Sequence, residues 1–117
     1  MSRTIVPNNE EAERLDFMPN VRENYLLGAI CLAVDGPVHR DRFEPEDNSL
    51  VTFPYEMTKE EADELAFKIK KLSLGRNEKL MQVRIDNPSS FVDERAFLEY
   101  CYNFAIFLEI SSGYKCI

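Results

Sequence analysis

Ten consecutive residues, Tyr25-Leu26-Leu27-Gly28-Ala29-Ile30-Cys31-Leu32-Ala33-Val34, carry no charge, and they constrain this chain more than any other feature. Such a run has to leave water, so it passes through the centre of a fold or faces a partner. It is too short to cross a bilayer, which takes about 18–20 apolar residues. Asn20 and Glu23 precede it at capping-box spacing, with Asn in place of the usual Ser or Thr. Asp35-Gly36-Pro37 follows it as a helix stop. These ends and the Leu/Ala content favour a helix over a buried strand, the alternative that the run alone leaves open. Gly28 weakens such a helix unless another backbone packs closely against it.

The remaining composition narrows the function classes. A chain of 117 residues suits one domain, read here as residues 1–117. It carries 21 acidic and 14 basic residues, a formal charge of -7. That balance argues against general nucleic-acid binding, whose affinity comes from Lys and Arg on phosphates. It favours encounters with basic partners instead. No apolar core of signal-peptide length precedes Glu10, and no membrane span is expected. The three cysteines, at 31, 101 and 116, are odd in number and far apart. They form no disulfide framework and no Cys-x-x-Cys site, so a cytoplasmic, reducing location is expected. Charge is also lopsided, with about 15 acids and 6 bases in residues 1–64 against about 6 and 8 in residues 65–117.

Local signals place the other elements. Asn8 and Asn9 before Glu10-Glu11-Ala12-Glu13-Arg14-Leu15 predict a short capped helix, closed off by Pro19. Residues 37–48 are polar, charged and interrupted by proline, hence a loop, and Leu50-Val51-Thr52-Phe53 reads as a short strand. Thr58 and Glu61 form a capping box, with Met57 and Ala62 placed for a hydrophobic staple. The helix that follows runs to about Leu74, with Gly75 as its natural C′ residue and Ala62, Leu65, Ala66, Ile69 and Leu72 as its core face. Alternation over Leu80 to Ile85 suggests a half-buried strand. Ser90 is the expected cap of a long helix from about Phe91 to Ile110, with Phe97, Cys101, Phe104, Ala105 and Leu108 inward and Ser111-Ser112-Gly113 ending it. The fold class is therefore α+β, predominantly helical, with about four helices and a small sheet of two or slightly more strands. The strand–helix–strand unit could pair as a parallel crossover or antiparallel.

The chemistry available to the chain is thin. His39 is the single histidine, and no activated nucleophile stands near it in sequence. No Gly-rich phosphate loop or dinucleotide fingerprint is present, and His39-Arg40-Asp41 matches three letters of a kinase loop in a chain far too short for that fold. Asp35, His39, Asp41 and Glu44, with Glu46 and Asp47, supply oxygen and imidazole donors that could hold a divalent cation, although their spacing is not that of an EF-hand. The bland reading of the same residues is a solvated acidic loop in which Arg40 and Arg42 pair some of the acids. Glu60, Glu61, Asp63 and Glu64 suit the first turns of a helix by dipole complementarity and need no catalytic role. Cys31 and Cys101 read as small buried hydrophobes, and Cys116 as accessible.

The stretch Ala29 to Val38 is similar to the helix-to-loop Asp-Gly motif of tellurite-resistance TerB-like domains. The similarity covers about a tenth of the chain, an Asp-Gly helix stop accounts for it, and no function is carried over.

Apolar residues off the core faces say more. Phe67 lies nearly opposite Leu65, among Glu60, Lys70 and Lys71, and Leu74 falls further along the same side. Tyr102, Ile106 and Ile110 share the outer side of the last helix with Arg95, Glu99 and Asn103. Either another element covers them or they form a protein-binding surface. The leading expectation is a small acidic adaptor, inhibitor or antidote, without catalysis or cofactor, whose partner is a protein with a basic surface. Its binding residues would be Phe67, Lys70, Lys71, Leu74, Tyr102, Ile106 and Ile110. One alternative is a metal-dependent enzyme or metal-binding protein centred on His39, Asp35, Asp41 and Glu44. Another is a homo-oligomer that holds a small anionic ligand through the basic 68–79 region (Lys68, Lys70, Lys71, Arg76, Lys79).

Overall fold

A computed structural model describes residues 4–15, 17–19, 23–40, 51–75, 77–87 and 90–117. In chain order the elements are β1 (Ile5–Pro7), a 3-10 helix (Glu10–Arg14), α1 (Asn24–Ala33), β2 (His39–Arg40), β3 (Val51–Thr52), β4 (Glu56–Met57), α2 (Lys59–Leu74), α3 (Glu78–Asp86), α4 (Glu94–Ser111) and β5 (Tyr114–Cys116). The class is α+β and mostly helical, with every strand pairing antiparallel.

The long apolar run is a helix. Its buried side chains, Leu26, Leu27, Ile30, Cys31 and Val34, fall on one face, while Tyr25 is exposed and Ala29, Leu32 and Ala33 are half-buried. Asn20, the expected cap, lies outside the described residues. At the C-terminus the Asp35 N–H donates to Leu32 O (3.1 Å) and the Gly36 N–H to Cys31 O (2.8 Å). This is a Schellman closure. The left-handed residue in it is Asp35 (φ 58°), not the glycine, as Asp tolerates that region better than most residues. Gly36 answers a different need, because a Cβ there would stand 2.5 Å from Leu65 Cδ1 on α2.

The capping box of α2 forms as expected. Glu61 N–H donates to Thr58 Oγ1 (3.2 Å) and Thr58 N–H to Glu61 Oε1 (3.1 Å). Met57 and Ala62 beside it are both buried. Ala62, Leu65, Ala66 and Ile69 are buried against α4, along which α2 packs. The helix ends at Leu74, but Gly75 is extended (φ -105°, ψ 141°) rather than left-handed.

Residues 80–85 overturn the strand expected there. They lie within the helix α3, capped by Asn77, whose Oδ1 accepts from the Leu80 N–H (3.1 Å), and closed by Asn87 Nδ2 on Val83 O (2.8 Å). Leu80 and Val83 are buried at i, i+3 spacing and Ile85 is exposed. Six alternating residues fit both periods, and the two Asn caps decide for the helix. The strand–helix–strand unit therefore does not exist. On α4, Asp93 and not Ser90 is the cap, its Oδ1 accepting from Ala96 N–H (2.8 Å), so the helix starts at Glu94.

The three-stranded sheet comes from segments the sequence patterns leave as loop. Its order is β1-β5-β4, with Ile5 opposite Cys116 and Met57 opposite Tyr114. Pro7 is tolerated because β1 is an edge strand. The expected strand at 50–53 forms instead a separate ladder with His39–Arg40, Leu50 itself lying outside the described residues. Tyr114 anchors the sheet to the helices: its ring meets Phe53 (5.9 Å) and Phe107 (6.5 Å), and its hydroxyl donates to Pro54 O (2.6 Å). A second aromatic cluster, Phe17, Phe91, Phe97 and Tyr100, packs around the start of α4, with Tyr100 donating to Glu23 Oε2 (3.1 Å).

Candidate protein-binding face

Helix α2 carries two opposed stripes. At about 100° per residue, the core stripe centres on Ile69 and the outer one on Glu60, Glu64, Phe67, Lys71 and Leu74. The structure leaves that outer stripe uncovered among the described residues: Phe67 is 64% and Leu74 87% exposed. An exposed large apolar residue is ordinary when single, but two on one stripe form a patch.

The patch continues onto α4. An open groove of about 660 Å³ is lined by Ser73 and Leu74 from α2 and by Glu94, Arg95, Leu98, Glu99, Tyr102 and Asn103 from α4. Residues 94, 95, 98, 99, 102 and 103 recur at three-to-four spacing, a signal present in the sequence, although Leu98 escapes it when only Tyr102, Ile106 and Ile110 are counted as outward. Tyr102 is 45% exposed. Lys70 Nζ lies 5.5 Å from the Tyr102 ring centroid and 2.7 Å from Glu109 Oε1, so it ties the two helices together at the groove's margin. Arg95 and Glu99 pair along the rim (3.2 Å).

The seven expected binding residues thus divide. Leu74 and Tyr102 share the groove, Lys70 touches Tyr102, and Phe67 and Lys71 continue the α2 stripe. Ile106 is half-buried, and Ile110, also half-buried, packs against the core.

The basic 68–79 region does not converge on one point. Lys68 Nζ pairs with Glu64 (3.4 Å) and donates to Asp35 O (3.1 Å), on the opposite flank of α2 from Lys70. Lys79 belongs to α3 and lines a separate groove of about 850 Å³ with Asp35 and Asp86. Arg76 lies outside the described residues. Of the expected metal donors, Asp35 and His39 are exposed, and the His39 ring packs on Tyr55 (centroids 4.6 Å apart). Asp41 and Glu44 lie outside the described residues. Among the described residues, no three His, Cys, Asp or Glu side chains cluster as metal ligands.

The buried titratable groups are structural in character. Burial pushes the Cys31 and Cys101 thiols up to about 12. Burial, reinforced by the Glu23 carboxylate, pushes the Tyr100 phenol up as well. No described helix is long and apolar enough to cross a membrane. Compared with family models, curated proteins and solved structures, the chain matches none.

Proposed function

We propose that this protein acts by binding another protein through the groove between the end of α2 and the first half of α4. The observation that carries this reading is the 87% exposure of Leu74 beside Leu98 and Tyr102 in an open groove. An aromatic and aliphatic floor with a charged rim is the usual anatomy of a protein interface. The occupant that fits is an apolar segment flanked by basic residues. Glu94 and Glu99 outnumber Arg95 on the rim, and the whole chain carries a net charge of -7. Rim charges of this kind act on encounter rate and salt dependence, while the apolar floor sets residence time.

The test compares the wild-type chain with the double variant Leu74→Ser/Tyr102→Ala in native mass spectrometry of complexes captured at low salt. A stoichiometric partner held by the wild type, weakened by salt and lost from the variant, supports the reading. Equal capture by both chains, or no stoichiometric partner at low salt, overturns it.

A further inference from the structure

The outer stripe of α2 has a second property, separate from the groove. Beyond Lys59 at the helix start, the charges along it change sign once, and Phe67 stands at the change. One turn before Phe67 are Asp63 and Glu64; one turn after it are Lys70 and Lys71. Phe67 is also within one residue of the midpoint of Lys59–Leu74, a helix of about 24 Å at 1.5 Å per residue. A stripe with these properties complements itself when a second copy lies antiparallel across it. The two-fold axis then passes beside Phe67, the two Phe67 rings meet, and Asp63 and Glu64 of each copy face Lys70 and Lys71 of the other over the central turns, with Glu60 opposite Leu74. A parallel pairing would set acid on acid and lysine on lysine.

We propose that this chain self-associates by antiparallel, two-fold pairing of α2 centred on Phe67, with Asp63 facing Lys70 and Glu64 facing Lys71 of the second copy. Such an isologous contact closes at a dimer. Three of the four charges are available for it, while Lys70 already holds Glu109 at 2.7 Å and would add Asp63 as a second acceptor. Lys71 makes no ion pair among the described residues, and the Asp63 and Glu64 pairs with Lys59 and Lys68 are i, i+4 contacts on exposed side chains, which are worth little. A single helix pair is a small interface, so the dimer forms reversibly and depends on concentration.

Charge reversal tests this without touching the core, since Glu64 and Lys71 are both exposed. Sedimentation equilibrium of the wild type should show a monomer–dimer equilibrium. Glu64→Lys and Lys71→Glu should each raise the dissociation constant at least about tenfold, because each sets like charges opposite one another twice across the axis. An equimolar mixture of the two variants should recover dimers, and so should the chain carrying both substitutions. Thermal melts of the variants establish that they are folded. A wild type that stays monomeric up to about 0.5 mM overturns the proposal. A dimer indifferent to both reversals, or variants that fail to complement one another, overturns it equally. The groove is untouched by these substitutions, so the outcome stands apart from that of Leu74→Ser/Tyr102→Ala.

Discussion

Gly113 follows the left-handed Ser112 (φ 56°) that caps α4 and is itself at φ 91°. Its Cα faces the Met57 carbonyl and the Thr58 backbone, so any side chain there would push apart the chain reversal that feeds β5 into the sheet. Gly113→Ala combines this clash with a strained backbone, and it should lower stability by about 1–3 kcal/mol, read from the urea midpoint. A second residue-scale prediction concerns alkaline pH. The thiols of Cys31 and Cys101 rise from an ordinary 9.0 to about 12 on burial, and burial first, then nearby negative groups, raise the Tyr114 phenol. Above about pH 9 the unfolded chain releases protons that the native one keeps, so stability is full below that pH and falls as pH climbs towards 12. Urea midpoints should therefore hold steady from about pH 7 to 8.5 and decline above 9; a midpoint unchanged at about pH 11 would contradict the burial of these groups.

At the scale of elements, α2 is held by a reciprocal cap whose two hydrogen bonds close the Thr58–Glu61 turn. Thr58→Ala removes the bond from the Glu61 N–H to the hydroxyl and keeps the one from the residue-58 backbone N–H to Glu61 Oε1, an expected loss of about 1 kcal/mol in thermal or urea unfolding. This helix was legible in the sequence because its instructions are local: a cap, a staple, a 3-4 core stripe, and on its far side the two apolar residues that now define the exposed patch. The same holds for the apolar run and Asp-Gly stop of α1, though not for its cap, and for the inner face of α4. The sheet was not legible, since Ile5–Pro7, Glu56–Met57 and Tyr114–Cys116 are too short to show a period and become strands only by pairing across half the chain or more. Residues 80–85 misled for a related reason: six residues satisfy either period, and Asn77 and Asn87 look like ordinary turn residues until their side chains are seen on Leu80 N–H and Val83 O. Missing α3 as a helix also hid the groove it forms with α1.

On the scale of the whole molecule, β5 sits centrally between β1 and β4, α2 packs along α4, and α1 packs on β3 and α3. The large side chains of this arrangement mostly point into one cluster that includes Leu27, Ile30, Leu65, Ile69, Phe104 and Leu108. Phe67 and Leu74 stay outside that cluster, as do the exposed Ile85 and Val92, and the two share one stripe of α2 beside the open α2–α4 groove. The acidic average of the chain also resolves into something more specific: α2 runs from acid to base around Phe67, a pattern that net charge conceals. On the proposed function, this face serves contact and not the fold. The most direct test is urea unfolding, in dilute solution, of the chain carrying Phe67→Glu and Leu74→Ser beside the wild type and Ile69→Ala. The double variant should stay within about 0.5 kcal/mol of the wild type, while Ile69→Ala should lose about 2–5 kcal/mol. A double variant destabilised as far as Ile69→Ala would show that the face is part of the core and contradict the claim.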